Sequence, residues 1–282
     1  MDLYKETKFL MNKYNIVAKK NLGQNFLIDE NVILDAISAA DISDNDIVIE
    51  IGPGLGTLTK YLLERAKKVI CVELDNSMID ILNERFFLYK NFEVINDDIL
   101  KIDLHELIRK NKEVIGAKKV KIVANLPYYI TTPIIMKLLE EKLDIDSITV
   151  MIQKEVADRL TAIPGKKNTG AITYSVYYYS EAEEVRTVPN TSFVPAPEVE
   201  SEVIKLTIRK EPVIKVLNEE KLFKLIKIAF MQRRKTLINA ISNSNLATKD
   251  KIKEILYELD IDERVRGENL SIEDFAKISD RI

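Results

Sequence analysis

Three glycines at alternate positions are the first residues of this chain whose spacing points to chemistry. Gly52, Gly54 and Gly56 follow a short β-branched apolar run, and a helical pattern begins directly after them. Glycine tolerates positive φ and lets backbone N–H groups come close to a ligand, which suits a turn that holds a nucleotide. The spacing G-x-G-x-G differs from the G-x-G-x-x-G of dinucleotide-binding turns. Taken alone, the glycines fit an ordinary strand-to-helix turn equally well.

Two carboxylates at the ends of later strands support the nucleotide interpretation. Glu73 lies at the end of the apolar run KKVICVELD, where it can accept hydrogen bonds from both hydroxyls of a ribose. Asp98 follows the next run, FEVIN, and an ionised carboxylate there can accept from an exocyclic amino group. In doubly wound sheets the ligand lies outside the carboxyl ends of the strands. We therefore expect the glycine turn, Glu73 and Asp98 to line one crevice that binds an adenosine-containing cofactor.

A short polar and aromatic motif ends the following strand, KKVKIVANL. Its residues are Asn125, Leu126, Pro127 and Tyr128. Pro127 keeps Leu126 extended, so an amide side chain, a fixed carbonyl and an aromatic ring would form a small polar pocket with a stacking wall. A turn that uses Asn and Pro for conformational reasons alone is the alternative.

The single cysteine and single histidine limit the chemistry that is available. Cys71 lies in an apolar run and His105 in a polar stretch, and we expect both to be structural or incidental. One residue of each kind can form neither a disulfide nor a thiolate or imidazole metal cluster, so we expect no metal. The net charge of −3 argues against a protein that coats nucleic acid by bulk electrostatics. A local basic patch is still compatible with that charge.

Alternating strands and helices would position these residues. A helix capped by Asp29 precedes the glycine turn, and a helical stripe after the turn leads into the strand that ends at Glu73. Seven strands are predicted, namely DIVIEI, KKVICVELD, FEVIN, KKVKIVANL, SITVMIQ, GAITYSVYYYSEAEEV and SEVIKLTIR. The pattern predicts an α/β fold with a seven-stranded Rossmann-like sheet.

Aromatic residues occur in two contrasting places. Tyr174, Tyr177, Tyr178 and Tyr179 lie in the predicted sixth strand, and we expect them to pack against helices. Phe193 lies in the Pro-rich segment PNTSFVPAPEVE. That segment should not form regular structure, so the Phe193 ring need not be buried.

Helical patterns replace the β pattern after the seventh strand. The sequence therefore predicts two domains, residues 1–210 and a smaller all-helical domain, residues 211–282. In the second domain, Arg233, Arg234 and Lys235 form the densest basic run, which is either a phosphate-binding surface or a solvated helix face. Charged residues interrupt every apolar run before it reaches the length of a membrane span, and no export signal is visible. We expect a soluble, cytoplasmic protein without membrane contact.

Five motifs read together resemble one enzyme family. QNFL, EIGPGLGTLT, VELD, NDDIL and ANLPYYI are similar to those of the S-adenosylmethionine-dependent rRNA adenine dimethyltransferases, which dimethylate two adjacent adenosines in small-subunit rRNA. The likeness continues through QKEVADRL, PGKKNTG, TSFVPAPEVES and FMQRRKTL, and so reaches into the helical domain. It implies a class I methyltransferase sheet and S-adenosyl-L-methionine as the cofactor. It also implies small-subunit rRNA in immature ribosomal subunits as the partner, and we expect a monomer.

The resemblance also implies a role for individual residues. The implied cofactor-binding residues are Asn25, Leu27, Gly52, Gly54, Gly56, Glu73, Leu74, Asp98, Ile99 and Asn125. The implied catalytic residues are Asn125, Leu126, Pro127, Tyr128 and Phe193, the last as a ring that stacks on the target base. The implied RNA-binding residues are Arg233, Arg234 and Lys235.

Some residues depart from the family pattern, and other functions stay open. Asn168-Thr169, Glu198, Glu200 and Ile238 replace residues that are commoner in the family, so we expect the details of RNA contact, but not the chemistry, to differ from the family pattern. The nearest alternative is a macrolide-resistance methyltransferase that acts on large-subunit rRNA, although the acidic balance and FMQRRKTL favour the small-subunit enzyme. A non-catalytic ribosome-assembly factor is the second alternative, against which the intact Asn125 motif argues. A small-molecule methyltransferase is the third, and it would not need a basic second domain.

Overall fold

Most strands and most C-terminal helices belong to different units of the chain. The residues described in this computed structural model are 2–19, 22–166 and 168–282. The first unit contains Met1–Ala157 and Glu183–Ile208, and the second contains Asp158–Ala182 and Arg209–Ile282. The second unit thus takes in residues 158–182, which the sequence analysis placed in the domain 1–210.

Short β-branched apolar runs form the strands. These are β1 (Phe26–Leu27), β2 (Asp46–Ile51), β3 (Lys68–Glu73), β4 (Phe92–Asn96), β5 (Lys119–Asn125), β6 (Ser147–Gln153), β7 (Ser180–Val188), β8 (Phe193–Val194) and β9 (Ser201–Ile208). Seven of them form one sheet in the order β4-β3-β2-β5-β6-β9-β7, which confirms the predicted seven-stranded sheet. β1 and β8 form a separate two-stranded sheet.

The strand order explains why ligand-binding residues gather at one edge. β2 pairs in parallel with both β3 and β5, so the chain leaves β2 in one direction for β3 and β4 and returns on its other side as β5 and β6. Such a reversal opens a crevice at the carboxyl ends of the strands. β9 runs antiparallel to β6. The turn after β2, the end of β3 and the end of β5 therefore face the same side of the sheet.

Helices follow or precede the strands of the first unit. They are α1 (Leu3–Lys13), α2 (Glu30–Ala40), α3 (Thr57–Leu63), α4 (Asn76–Phe86), α5 (Leu104–Ile115), α6 (Thr131–Glu140) and α7 (Lys154–Leu160), whose last three residues belong to the second unit. The predicted cap of α2 is present, since the Asp29 carboxylate accepts from the Asn31 N–H at 3.1 Å. Among the described residues, no helix has the length and apolar character needed to cross a membrane.

The second unit is mostly helical, and the sequence analysis predicted one of its helices as a strand. Its helices are α8 (Ala171–Tyr179), α9 (Glu219–Met231), α10 (Leu237–Asn243), α11 (Lys249–Glu258) and α12 (Ile272–Ser279). The prediction of one strand over GAITYSVYYYSEAEEV was wrong in its first half, because residues 171–179 are helical and β7 begins only at Ser180.

Packing of the tyrosines explains why this segment is helical. β-Branched and aromatic residues are common in strands, but Tyr174 and Tyr178 lie one helical turn apart and therefore on one face. Tyr174 packs edge-on against Phe275, with ring centroids 5.2 Å apart, and Tyr178 packs the same way against Phe223. Tyr174, Tyr178 and Tyr179 are buried, which confirms a packing role for them in a different element from the one predicted.

Candidate active site

A cleft lies at the carboxyl ends of β2, β3 and β5 in the first unit. It encloses about 1080 Å³, part of which is open to solvent. The predicted site residues that line it are Asn25, Leu27, Gly52, Gly54, Glu73, Leu74, Asp98, Ile99, Asn125, Leu126, Pro127 and Tyr128. Gly56 and Phe193 were also predicted but are not among the lining residues. Residues from five segments of the chain thus meet at one edge of the sheet.

The glycines of the turn after β2 have different surroundings. Gly52 has a φ of 65°, and a Cβ atom there would have no atom within 4 Å, so the backbone faces open space. Gly56 has a φ of 79° and lies against α4, where a Cβ atom would come 2.5 Å from Cε2 of Phe86. Gly52 therefore borders the cleft, whereas Gly56 permits close packing of the turn on a helix.

Glu73 connects the end of β3 to the glycine turn. It is 7% exposed, and its Oε2 accepts from the Gly54 N–H at 3.1 Å while Oε1 accepts from the Asp75 N–H at 2.7 Å. Burial raises the pKa of this carboxyl, and the two backbone N–H groups oppose that shift. Each carboxylate oxygen has a second lone pair, so Glu73 can still accept two further hydrogen bonds.

Glu50 is a cleft residue to which the sequence analysis gave no role. It lies at 2% exposure near the end of β2, where its Oε2 accepts from the Thr59 hydroxyl at 2.6 Å and from the Cys71 thiol at 3.4 Å. Burial raises the pKa of Glu50 to about 7, and the two donors oppose that shift. The signal that could have identified Glu50 is a carboxylate near the end of an otherwise apolar strand.

The buried carboxylate of Asp75 holds the segment before β1 beside the cleft through hydrogen bonds. Asp75 accepts from Lys19 Nζ at 2.7 Å and from Gln24 Nε2 at 2.8 Å, and it also caps α4. Burial raises the pKa of Asp75, but the bonds from Lys19, Ser77 and Gln24 outweigh burial and lower it to about 2. Gln24 lines the cleft, and the sequence analysis quoted it as part of the QNFL motif without giving it a role.

Asn125 is oriented by a backbone carbonyl. Its Nδ2 donates to the Asn25 carbonyl at 3.1 Å. Because a carbonyl can only accept, this bond fixes the amide with Nδ2 towards Asn25 and leaves Oδ1 as the acceptor of the side chain. The following residue is fixed too, since the Leu126 N–H donates to the Met151 carbonyl at 3.0 Å.

Tyr128 completes the motif on the same wall. Its hydroxyl shares a 2.6 Å hydrogen bond with the Ser201 hydroxyl at the start of β9. Burial raises the pKa of the Tyr128 phenol, and the Ser201 bond opposes the shift. Pro127 holds the turn by accepting from the Thr131 hydroxyl at 3.0 Å. The ring of Tyr128 is therefore anchored at both its backbone and its hydroxyl.

Phe193 does not behave as its Pro-rich surroundings suggested. It belongs to β8, pairs with Leu27 of β1 and is 3% exposed, so the expectation that its ring need not be buried was wrong. The pairing is extended by the Ile28 N–H, which donates to the Ser192 carbonyl at 2.9 Å. A strand partner far away in the sequence gives this segment a regular conformation and places the ring in the core.

Asp98 shapes the turn after β4. Its Oδ1 accepts from the Leu100 N–H at 3.0 Å, and its Oδ2 lies 3.6 Å from Nζ of Lys101, an exposed side chain. Its neighbour Ile99 is buried at 7% exposure. The Asp98 carboxylate therefore borders the cleft, with its Oδ2 near an exposed lysine.

The basic run lies in the second unit, in the turn between α9 and α10. Arg233, Arg234 and Lys235 are all exposed, and the run follows the end of α9 at Met231, so it does not form a helix face. Arg233 donates to the Thr169 carbonyl at 3.2 Å and to Glu268 at 3.3 Å. This surface, which we call the basic turn (residues 232–235), presents charge to solvent.

The sequence of this chain is similar to those of known rRNA methyltransferases. A family model described as "Ribosomal RNA adenine dimethylase" matches residues 15–282. A "Ribosomal RNA small subunit methyltransferase A" of Alkaliphilus metalliredigens is 49% identical over 278 residues, which are 98% of this chain and 96% of that protein. A protein of the same name from Clostridium botulinum is 50% identical over 276 residues, which are 98% of both chains.

Two solved structures of rRNA-type methyltransferases also resemble this chain in fold. A dimethyladenosine transferase from Plasmodium falciparum superposes with a TM-score of 0.74 at 30% identity, covering 90% of this chain and 95% of that one. The 23S rRNA methyltransferase ErmE has a TM-score of 0.68 at 24% identity and covers 91% and 99%, which shows the shared fold. The class I methyltransferase fold is thereby confirmed, and the chain belongs to the ribosomal RNA adenine dimethylase family.

Proposed function

We propose that this protein transfers methyl groups from S-adenosyl-L-methionine to N6 of two adjacent adenosines, in a hairpin loop near the 3′ end of small-subunit rRNA. The observation that carries this proposal is the fixed amide of Asn125, whose Nδ2 is engaged by the Asn25 carbonyl. Membership of the adenine dimethylase family supports the chemistry. The name of the relatives supports the small subunit as the source of the RNA.

The donor and acceptor set of the cleft fits the proposed cofactor. Glu73 keeps two lone pairs for the ribose hydroxyls, and Asp98 offers a carboxylate oxygen to an exocyclic amino group. Gly52 leaves space for a ligand next to the backbone. When bound, S-adenosyl-L-methionine supplies an electrophilic methyl group on a sulfonium. Asn25, Leu27, Leu74 and Ile99 would enclose it and exclude water.

Two fixed acceptors would activate the adenine. The N6 lone pair is delocalised into the ring, so an enzyme gains by raising electron density on N6 and aiming its lone pair. Asn125 Oδ1 and the Leu126 carbonyl would each accept one N6 hydrogen, which favours a pyramidal nitrogen. The Asn125 amide is oriented before the substrate binds, because the Asn25 carbonyl holds its Nδ2. The backbone of Leu126 is fixed beside it, because the Leu126 N–H donates to the Met151 carbonyl. No strong base is needed for this step, because N6 would carry a positive charge after methylation and would then release one proton to water.

Stacking would hold the base during both transfers. Tyr128 is anchored through Ser201 and is the ring of the motif that borders the cleft. Phe193 is buried in this conformation, so its proposed stacking on the base requires the ring to leave its present position. The adenine must leave its own stack to enter, which costs least in a loop. N6-methyladenine keeps one hydrogen, for which one acceptor is sufficient.

The basic turn would supply phosphate contacts. Arg233, Arg234 and Lys235 give an acidic protein a local cationic surface, and phosphate contacts position RNA without reading its sequence. We place the reaction in the cytoplasm, on immature small subunits, with a monomeric enzyme.

The test uses subunits from cells that lack this gene. Purified protein, labelled S-adenosyl-L-methionine and immature small or large subunits would be combined, and the modified nucleosides mapped by mass spectrometry. We expect dimethyladenosine at two adjacent positions of the small-subunit RNA. Label in large-subunit RNA alone would favour the macrolide-resistance activity instead. Binding to small subunits without any transfer would favour a non-catalytic assembly factor.

A further inference from the structure

The last two residues of α4, Arg85 and Phe86, support the glycine turn (residues 52–56) through direct contacts. The Arg85 guanidinium donates to the Leu55 carbonyl in the middle of the turn. The Phe86 ring lies against Gly56, at the position where a Cβ atom would clash. Leu55 and Phe86 are 1% and 3% exposed, so both contacts are made inside the protein.

Arg85 is held in turn by the N-terminal helix. Its second terminal nitrogen donates to the Glu6 carboxylate on α1. The Arg85 side chain is 12% exposed, and burial lowers the pKa of its guanidinium while Glu6 opposes that shift. A buried cation needs partners for its donors, and here one partner comes from α1 and the other from the glycine turn.

The turn needs an external support because it has few side chains of its own. Gly52, Gly54 and Gly56 all have positive φ and no Cβ, so their conformation is weakly restricted in the absence of contacts. A planar guanidinium fixes the angle between its two partners, which an ammonium group does not. Holding a turn in its binding conformation raises affinity because less freedom is lost when the ligand binds.

We propose that Glu6 and Arg85 are positioning residues, and that through them α1 sets the affinity of the glycine turn for its ligand. This rests on the proposed function, in which the turn binds S-adenosyl-L-methionine. Neither residue lines the cleft. Their effect reaches the ligand through the glycine turn, which Arg85 contacts at the Leu55 carbonyl.

A second ion pair between α1 and α4 provides a matched control. Lys13 Nζ lies 2.7 Å from Glu84 Oε1, and Glu84 directly precedes Arg85 in the chain. Both side chains are exposed, and Lys13 donates to Glu84 and Tyr14. If α1 only docks on α4, the removal of either ion pair should have the same effect. If Arg85 positions the turn, only the removal of the Glu6–Arg85 pair should change ligand affinity.

The experiment compares Arg85→Gln, Arg85→Lys and Glu6→Gln with Glu84→Gln in the full chain. Calorimetric titration with S-adenosyl-L-methionine measures affinity, and hydrogen exchange of amides 52–58 in the ligand-free protein measures the turn directly. Arg85→Gln should weaken binding about tenfold and speed exchange, because preorganisation is lost. Arg85→Lys should recover part of the affinity, since it keeps the charge. Single-turnover rates at saturating cofactor should stay within about twofold, so the loss appears in KM rather than kcat.

Several outcomes would overturn the inference. One is unchanged affinity and exchange in Arg85→Gln, and another is an equal loss in Glu84→Gln. If Arg85→Gln does not fold, the milder Glu6→Gln variant decides the matter by the same two measurements. If the wild-type chain fails to bind S-adenosyl-L-methionine, the proposed function fails, whereas the exchange rates still test the support of the turn.

Discussion

The cleft and the basic turn hold their charged side chains in opposite ways. In the cleft, Glu50 and Glu73 are 2% and 7% exposed, and each accepts at least two hydrogen bonds from protein donors. In the basic turn, Arg234 and Lys235 are exposed to solvent. The cleft thus fixes its polar atoms before a ligand arrives, while the basic turn offers charge that is exposed to solvent.

This difference matches the two kinds of recognition that we propose for this chain. A small cofactor and a reacting base require atoms held within a fraction of an ångström, since misplacement lowers the rate of transfer. Phosphate contacts act through charge and tolerate movement, and salt screens them. Substitutions in the cleft should therefore have large effects on chemistry or cofactor affinity. Substitutions in the basic turn should have graded effects that depend on salt.

The largest effect is expected at Asn125. Asn125→Ala should lower turnover by about 10²-fold or more, the scale seen when one preorganised polar group at a reacting centre is removed. Fold and most RNA affinity should be retained. Methyl transfer to immature small subunits would be followed in single turnover, which separates chemistry from product release.

Aspartate is the informative control at this position. Asn125→Asp keeps an acceptor, but it removes the donor that the Asn25 carbonyl needs and adds a charge. We expect it to be impaired as well, because two acceptors would then face each other. Rates close to wild type for Asn125→Ala would contradict the activation of N6 by the amide.

Glu50 should make the stability of the protein depend on pH. Its folded pKa of about 7 lies above the usual value of 4.5, so its contribution to stability is fully present below pH 4.5 and is lost as pH rises through 7. Glu50→Gln stays neutral, so it should be more stable than the wild type at pH 8 by about 2 to 3 kcal/mol, and nearly equal at pH 4. Urea unfolding at both pH values measures this difference. Glu198→Gln, at an exposed position, is the control for the loss of one carboxylate.

Cofactor affinity should depend on Glu73. Glu73→Ala should weaken S-adenosyl-L-methionine binding by about 1 to 3 kcal/mol, because the ribose hydroxyls no longer have a charged acceptor and the Gly54 N–H no longer has its partner. Calorimetric titration measures the change. Glu73→Gln should have a smaller effect, since it keeps one acceptor. An unchanged affinity in Glu73→Ala would remove this residue from the cofactor site.

Local patterns were sufficient to predict the sheet and most of the cleft. Strand-end positions follow from apolar runs and turn residues, and parallel strands bring their carboxyl ends together. That is why the sequence alone places Glu73, Asp98 and Asn125 at one edge. The positive φ of Gly52 follows from the same local reasoning.

Long-range contacts account for the predictions that were wrong or missing. Phe193 is buried because β8 pairs with β1, more than 160 residues earlier in the chain. Gly56 lies against Phe86, a contact that no local pattern of the turn contains. Residues 171–179 are helical because their tyrosines meet phenylalanines of later helices, which overrides a strand-like composition. Buried partners of charged groups, such as Gln24 with Asp75, were missed for the same reason.

The smallest effect is expected in the basic turn. Replacing Arg233, Arg234 and Lys235 together with Ala should weaken binding to small subunits about tenfold at low salt, since fewer phosphates are neutralised and fewer counterions are released. The slope of log affinity against log salt should fall by roughly 1 for each phosphate that is no longer neutralised. Cofactor affinity should be unchanged.

A control with the same change in charge separates a site from general electrostatics. Lys249, Lys251 and Lys253 lie on α11 of the same unit, and their triple replacement with Ala removes three positive charges elsewhere. If the basic turn binds phosphates, its variant should show a larger drop in affinity and in salt dependence than the α11 variant. Equal drops would mean that net charge alone acts. No change in either variant would identify the basic turn as a solvated surface, and the contrast with the preorganised cleft would then concern structure and not recognition.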